Sequence, residues 1–506
     1  MKSHLPFGFR CGRALSMALA LVGTFVLANS VSAKSPGKSG SPQGIPTHYS
    51  GISIPVDVYE PPYPGDARVM LSGCATAYLV PDSTLDLVRL FVYAPGPMLP
   101  AKPQDAVRQR FYSALLGDGG TRSLTPARLQ DSLEFIAASL DAGRGAWQGD
   151  ASFDALSKDA DAMLGLLADV LLQPRFDGEI FKVTQRGMLE GNKHRYSTPG
   201  SVLGAATERV LFGSHPVNWG VTDAEILSAT PQSLKPMAGS GFARNRLVLG
   251  VAGRFDRAQM IRKLEAFVAK FPLADSVSAV PPFRGSQAPG VYLVDKPFTQ
   301  ASIRMAAPGV QRPHPDYYRL LVASEIFGGG SFTSRLSQKV RSDEGLAYSV
   351  SSDVQSDYNR RGLVIAGLQT KAATGAFAIR IVRDEMRRMA ADGITDEEFE
   401  RARDGLLKSL PALFDSPAST ARVFAQSAAW GRSPEHFREY RKALENMKRA
   451  EVEDAFRRYF VADSLRIVVV GPKAELLKKD AAHGGVSLSD FGKITEITEA
   501  DLDKRE

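Results

Sequence analysis

The sequence predicts an α+β fold made of two homologous halves, each a mostly antiparallel sheet packed against helices. Three observations predict it. Short apolar runs of strand type lie between amphipathic helices that carry explicit start signals. Two of those runs, Leu247–Gly253 (LVLGVAG) and Leu465–Gly471 (LRIVVVG), match each other, and each has a Phe five residues upstream of its Leu (Phe242 and Phe460). Between them, the apolar-poor stretch Ala274–Gly290 (ADSVSAVPPFRGSQAPG) reads as a linker.

The chain opens with the layout of a secretory signal, expected over residues 1–33. Lys2, Arg10 and Arg13 precede the uncharged, mostly apolar Ala14–Ala28, and Val31-Ser32-Ala33 offers small residues for cleavage. The run falls short of the roughly 20 residues that a spanning helix needs, and no later segment is long and apolar enough to span, so no transmembrane segment is expected after signal removal. Residues 34–65, rich in Ser, Gly and Pro, read as a flexible leader.

Residues 66–273 form the expected N-terminal half. Val107, Phe111 and Ala114/Leu115 set a helical apolar stripe, and Leu87–Tyr93 is a strand run. Thr125-Pro126 is an N-cap with proline at the first helical position, followed by Leu129, Leu133, Ile136 and Leu140 on one predicted face. Thr230-Pro231 repeats that device. The C-terminal half is expected over 291–475, with strands at Ile303–Ala306 and Leu363–Leu368 and a Thr395/Glu398 capping box opening a helix through Leu406. Residues 476–506 read as a tail.

Composition narrows the function classes. The formal charge of +7 includes three cations inside the signal, and no long basic run follows, which argues against a nucleic-acid surface. Cys11 lies in the signal and leaves Cys74 alone, so neither a disulfide framework nor a cysteine-based zinc site is available. Cys74 is expected to be a small buried apolar residue.

The most informative segment is Ile326–Val350, IFGGGSFTSRLSQKVRSDEGLAYSV. Gly328, Gly329 and Gly330 end an apolar run, an amphipathic stretch follows, and Gly345 precedes a strand-like alternation at Leu346–Val350. This segment resembles the C-terminal half of the pitrilysin/insulinase zinc peptidases, the inverted His-x-x-Glu-His enzymes. FGSHPVNWGVTDAEI (Phe212–Ile226) and LVLGVAGRFD (Leu247–Asp256) resemble segments of the same family, and the likeness covers roughly residues 65–475.

The resemblance implies that Arg341 and Tyr348 form a substrate-holding pair acting in trans, with Gly328, Gly329, Gly330 and Ser331 lining the substrate cleft. It also implies what has been lost. Where the family carries its metal helix, this chain reads Arg110-Phe-Tyr-Ser-Ala114, then Leu115-Leu116-Gly-Asp-Gly-Gly-Thr121. Arg110 stands for the first His, Ser113 for the general base and Ala114 for the second His. No His lies between His48 and His194, so no shift of register restores a ligand. The third ligand would fall near Glu190, and without partners neither Glu190 nor His194 makes a metal site.

The resemblance therefore implies a secreted, periplasmic, metal-free subunit that binds no cofactor itself and is inactive alone. Its partner would be a homologous His-x-x-Glu-His subunit holding zinc, and the substrate a peptide or unfolded polypeptide. The alternative is a catalytically inactive scaffold or peptide-binding protein of the same fold.

Overall fold

The computed structural model describes residues 59–274, 280–283, 287–330, 332–347 and 349–505. The expected signal, most of the leader, parts of the expected linker, Ser331 and Tyr348 lie outside the described residues. The fold is that of the unit Pro61–Glu506.

Strands β1 (Arg68–Met70), β2 (Thr76–Pro81), β3 (Leu87–Pro95), β4 (Ser139–Arg144), β5 (Gln148–Leu156) and β6 (Val248–Gly253) form one sheet in the order β1-β2-β6-β3-β5-β4. Strands β7 (Gly290–Asp295), β8 (Gln300–Pro308), β9 (Val350–Gln355), β10 (Leu363–Lys371), β11 (Arg466–Gly471) and β12 (Ile494–Glu496) form a second, β12-β7-β11-β8-β10-β9. From the second place on, the two orders correspond strand for strand; the outermost strands differ, since β1 precedes β2 and runs antiparallel to it, whereas β12 comes last in its half and runs parallel to β7. The matching runs of the sequence, β6 and β11, each sit third, parallel to one neighbour (β2 or β7) and antiparallel to the other (β3 or β8). Phe242 and Phe460 are both buried. The repeat is thus a repeat of topology as well as of letters.

One face of each sheet packs against helices of its own half. Under the first lie Pro103–Leu115, Ala160–Leu172 and Arg257–Ala269, and under the second lie Tyr317–Ser324, Gly375–Asp392 and Arg449–Tyr459. The opposite face is covered by a helix from the other half. Pro199–Phe212 buries Val202, Ala206, Val210 and Phe212 on β7, β11 and β8. Pro417–Ala429 lays Phe424 and Ala425 on β2, β6 and β3. The approach is close enough to explain Gly250 in the LVLGVAG strand, because a Cβ there would stand 2.5 Å from the Ala421 carbonyl oxygen. This exchange of helices makes one compact unit of the two halves.

Several local readings need correction. The Thr125-capped helix ends at Phe135, Ala137 takes a left-handed φ of 52°, and Leu140 belongs to edge strand β4 rather than to the helical stripe. The strand expected from Leu346 starts only at Val350, since the Leu346 N–H and carbonyl are taken by Val340 and Thr370. Cys74 is exposed and, with Gly73, left-handed, because the turn into β2 needs two such residues.

The last leader residues already belong to the fold, where Pro64–Ala67 is a helical turn with Pro64 and Ala67 buried. The segment read as a tail contributes β12, parallel to β7. Within the expected linker, Pro281 and Phe283 are docked. The buried His215 ring stacks on Phe283 at 3.7 Å between centroids, and its Nε2 donates to the Pro281 carbonyl at 2.9 Å. Its Nδ1 accepts from the Val217 N–H, so both nitrogens are satisfied in the neutral form, and burial pulls its pKa down. Among the described residues, no helix is long and apolar enough to cross a membrane.

Candidate functional site

The Pro103–Leu115 helix keeps its place because one face is anchored. Phe111, Tyr112 and Leu115 are fully buried, and the Phe111 ring stacks on Phe181 at 4.4 Å. Its other face carries Arg110, Ser113 and Ala114. Arg110 and Ala114 are exposed, and Ser113 is half-buried. The Ser113 hydroxyl accepts the Arg144 N–H at 3.3 Å, which ties the helix to edge strand β4. Just beyond the helix, a Cβ on Gly117 would lie 3.5 Å from both the N and the O of Ala142 on the same strand.

The second half repeats this geometry. The Tyr317–Ser324 helix runs on as a π-helical turn, Glu325–Gly329, closed by the Gly330 N–H on the Glu325 carbonyl at 2.8 Å. The Ser324 and Ser352 hydroxyls meet at 3.0 Å, tying this helix to edge strand β9. Gly328 is buried, and a Cβ there would stand 2.6 Å from the Ser352 N. In each half, then, a helix bearing Ser and then Gly ends against an edge strand. Among the described residues, β4 pairs only with β5 and β9 only with β10.

The residues at the expected metal positions do not fit a zinc ion. A guanidinium repels a cation, Ser113 is committed to a backbone amide, and Ala114 has no donor atom. Arg110 instead donates to the Trp219 carbonyl at 3.0 Å. Around it lies an ion-paired cluster closed by the end of the chain. Asp503 pairs with Arg195 and accepts from the Tyr196 hydroxyl, and Arg505 grips Glu225 with bonds of 2.5 and 2.7 Å. The Glu225 carboxyl is held down to about 2, chiefly by Arg505. Glu190 is an exposed partner of Lys193 and His194, at 3.1 and 2.9 Å. Among the described residues, no three His, Cys, Asp or Glu side chains gather in a way that could hold a metal.

The glycine-rich segment divides into anchors and an outward loop. Arg335 binds both Glu398 oxygens at 2.7 Å and the Gly393 carbonyl at 2.9 Å, and Leu336 is fully buried. Beside Arg335 opens a cavity of about 580 Å³ between cations such as Lys339, Arg388 and Arg449 and carboxylates such as Glu385 and Asp396. Its charges pair with one another across the opening. Gly329 is exposed and Gly330 half-buried, so Gly328 alone of the three is packed inside.

Arg341, half-buried, sits in a second π-helical stretch, Ser337–Asp343, with its guanidinium carbon 4.6 Å from the centre of the Phe332 ring. Phe332 was not singled out in the sequence. Its signal was an aromatic inside a loop of Gly, Ser and Thr. The Asp503/Arg505 cluster carried no motif at all.

Residues 228–406 match the family described as peptidase M16 inactive domain. Homologues are named zinc proteases or non-peptidase homologues. The chain is 25% identical over 272 residues to the uncharacterized zinc protease YmxG of Bacillus subtilis, covering 52% of this chain and 64% of that protein. It is 29% identical over 333 residues to an uncharacterized zinc protease of Mycobacterium tuberculosis, covering 63% and 73%. It is 23% identical over 375 residues to the non-peptidase homolog YmxG of Helicobacter pylori, covering 73% and 85%. The match spans under two thirds of the Bacillus subtilis and Streptomyces coelicolor relatives, 64% and 62% of their lengths. In fold, the chain is similar to the peptidase M16 inactive domain of Pseudomonas fluorescens, with a TM-score of 0.71 at 22% identity, covering 80% of this chain and 97% of that one. It is also similar to the periplasmic protease PqqL of Escherichia coli, with a TM-score of 0.66 at 14% identity, covering 80% and 45%.

Proposed function

We propose that this chain, which carries a peptidase M16 inactive domain over residues 228–406, is the metal-free, peptide-binding subunit of a secreted, periplasmic zinc peptidase. The observation that carries the reading is a motif helix kept in place while its metal chemistry is gone. The helix is held by Phe111, Tyr112 and Leu115, yet Arg110, Ser113 and Ala114 can supply neither a ligand nor a base. The presence of Arg341 and Tyr348 in the other half, the substrate-holding pair that the resemblance implies, favours peptide binding over a bare scaffold.

In this reading the chain binds no zinc. A homologous His-x-x-Glu-His subunit holds the ion, which there polarises the scissile carbonyl and activates water. This chain's residues position the peptide. The Arg341 guanidinium is a planar fork suited to a peptide carbonyl or carboxylate, and the Tyr348 hydroxyl is a donor for charge developing on the carbonyl oxygen. The edges of β4 and β9 supply backbone groups to which an extended peptide can add as a further strand. Gly329 and Gly330 border that approach.

The test is to co-express the chain with its candidate metal-bearing homologue and to measure peptide hydrolysis, assembly and melting. Tyr348→Phe removes one hydroxyl and should lower turnover roughly a hundredfold, the usual effect of one lost oxyanion donor. Arg341→Lys keeps the charge, loses the fork and should also weaken peptide binding. Unchanged activity in both variants of an intact complex would leave the scaffold alternative instead.

A further inference from the structure

We propose that Phe332 determines the specificity of the Arg341 site, selecting peptides with a large apolar side chain next to the carbonyl or carboxylate that Arg341 holds. The inference rests on the peptide-binding reading above and adds a substrate class to it.

Phe332 is 65% exposed. A phenylalanine left in water forgoes a large favourable burial, and its uncovered surface stays available to a ligand. On one side of it Gly328 is buried against Ser352, and on the other Arg335 is clamped on Glu398 and Leu336 is fully buried.

The flanking backbone is unusual in the same place. π-Helical segments, Glu325–Gly329 and Ser337–Asp343, bracket Phe332 on both sides. Such segments make up well under 1% of residues in proteins and concentrate at functional sites. The second of them carries Arg341, whose guanidinium carbon lies 4.6 Å from the ring centre. A guanidinium lying over a ring keeps its N–H donors in its own plane, so contact with Phe332 and forked bonding to a ligand oxygen are compatible. A ligand oxygen held by that fork brings the adjoining side chain beside the uncovered part of the ring. An apolar side chain gains there by leaving water, and a polar one does not.

The experiment measures binding of the mature chain to two fluorescein-labelled, unstructured peptides that differ only in Leu or Ser at one central position. The wild type should prefer the Leu peptide about five- to tenfold, the factor that one partly buried apolar side chain contributes. Phe332→Ala should abolish that preference, and Phe332→Tyr should keep it, with melting unchanged because an exposed ring is altered. Arg341→Ala should weaken both peptides alike. If Arg341→Ala binds both peptides as tightly as the wild type, the peptide-binding reading falls. If Arg341→Ala weakens binding but Phe332→Ala keeps the wild-type Leu/Ser ratio, that reading stands and the specificity role of Phe332 falls.

Discussion

The three consecutive glycines of the Ile326–Val350 segment look alike in the sequence, and the structure makes them unequal. A Cβ on Gly328 would stand 2.6 Å from the Ser352 N, 2.8 Å from the Ser352 Cβ and 2.9 Å from the Leu336 Cδ1. Strand β9 lies on one side and a fully buried leucine on the other, so neither neighbour can yield cheaply. Forcing a methyl into such a site costs about 1–3 kcal/mol. Replacing glycine by alanine in a helix returns up to about 1 kcal/mol through backbone propensity. The clash therefore wins, and Gly328→Ala should destabilise by about 1–2 kcal/mol net. For one compact unit spanning Pro61–Glu506 that lowers Tm by about 1–2 °C. At Gly329 the nearest atom is the Glu325 Oε2 at 2.8 Å, the end of a rotatable side chain, with the Ser324 carbonyl oxygen next at 3.2 Å. Gly329→Ala should fall within about 0.5 kcal/mol of the wild type, as propensity offsets the displaced carboxylate. Thermal and urea unfolding of the two variants side by side is the assay. A Gly328→Ala protein that melts at or above the wild type, or together with Gly329→Ala, would refute the packing argument.

Other outcomes follow from the same geometry. Elemental analysis of the purified chain should find no stoichiometric zinc, and the chain alone should cleave no peptide. One tight zinc per chain, removed by chelator with loss of activity, would contradict this. The Arg505–Glu225 clasp should be sensitive to acid. Its carboxyl titrates at about 2 in the fold against an ordinary 4.5, so its contribution is fully present above pH 4.5 and is lost as the pH falls through about 2. Glu225→Gln should cost about 1 kcal/mol at neutral pH, and its urea midpoints should converge on those of the wild type toward pH 2. A constant gap across that range would remove the ionic explanation.

How much of this was legible in advance depended on whether the cause was local. The Thr395/Glu398 capping box, the stripe Val107–Phe111–Leu115 and the matching strands β6 and β11 were all readable. Caps and periodicity are set by residues within a turn or two, and each half repeats them. That Arg110, Ser113 and Ala114 offer no zinc ligand set could be read equally well without coordinates, from the side chains alone. The readings that failed were those in which distant segments compete for one stretch of chain. Leu140 fits the helical stripe of Leu129 and Leu133, but edge strand β4 claims it after the left-handed turn at Ala137. Cys74 has the chemistry of a core residue, yet the turn into β2 turns it outward.

By itself, the sequence determined which surfaces are apolar, where helices begin and that the fold repeats. The tertiary structure decided which partner each apolar surface meets. The Pro199–Phe212 and Pro417–Ala429 helices each bury their stripe on the sheet of the other half, and periodicity cannot announce that, because a stripe specifies burial and not the burying surface. The same holds for Asp503 and Arg505, whose pairing with Arg195 and Glu225 joins residues some 300 positions apart. It holds for Phe332 as well. Its meaning depends on the guanidinium above it and the water around it, and both are set only once two π-helical turns and two buried anchors have been brought together in space.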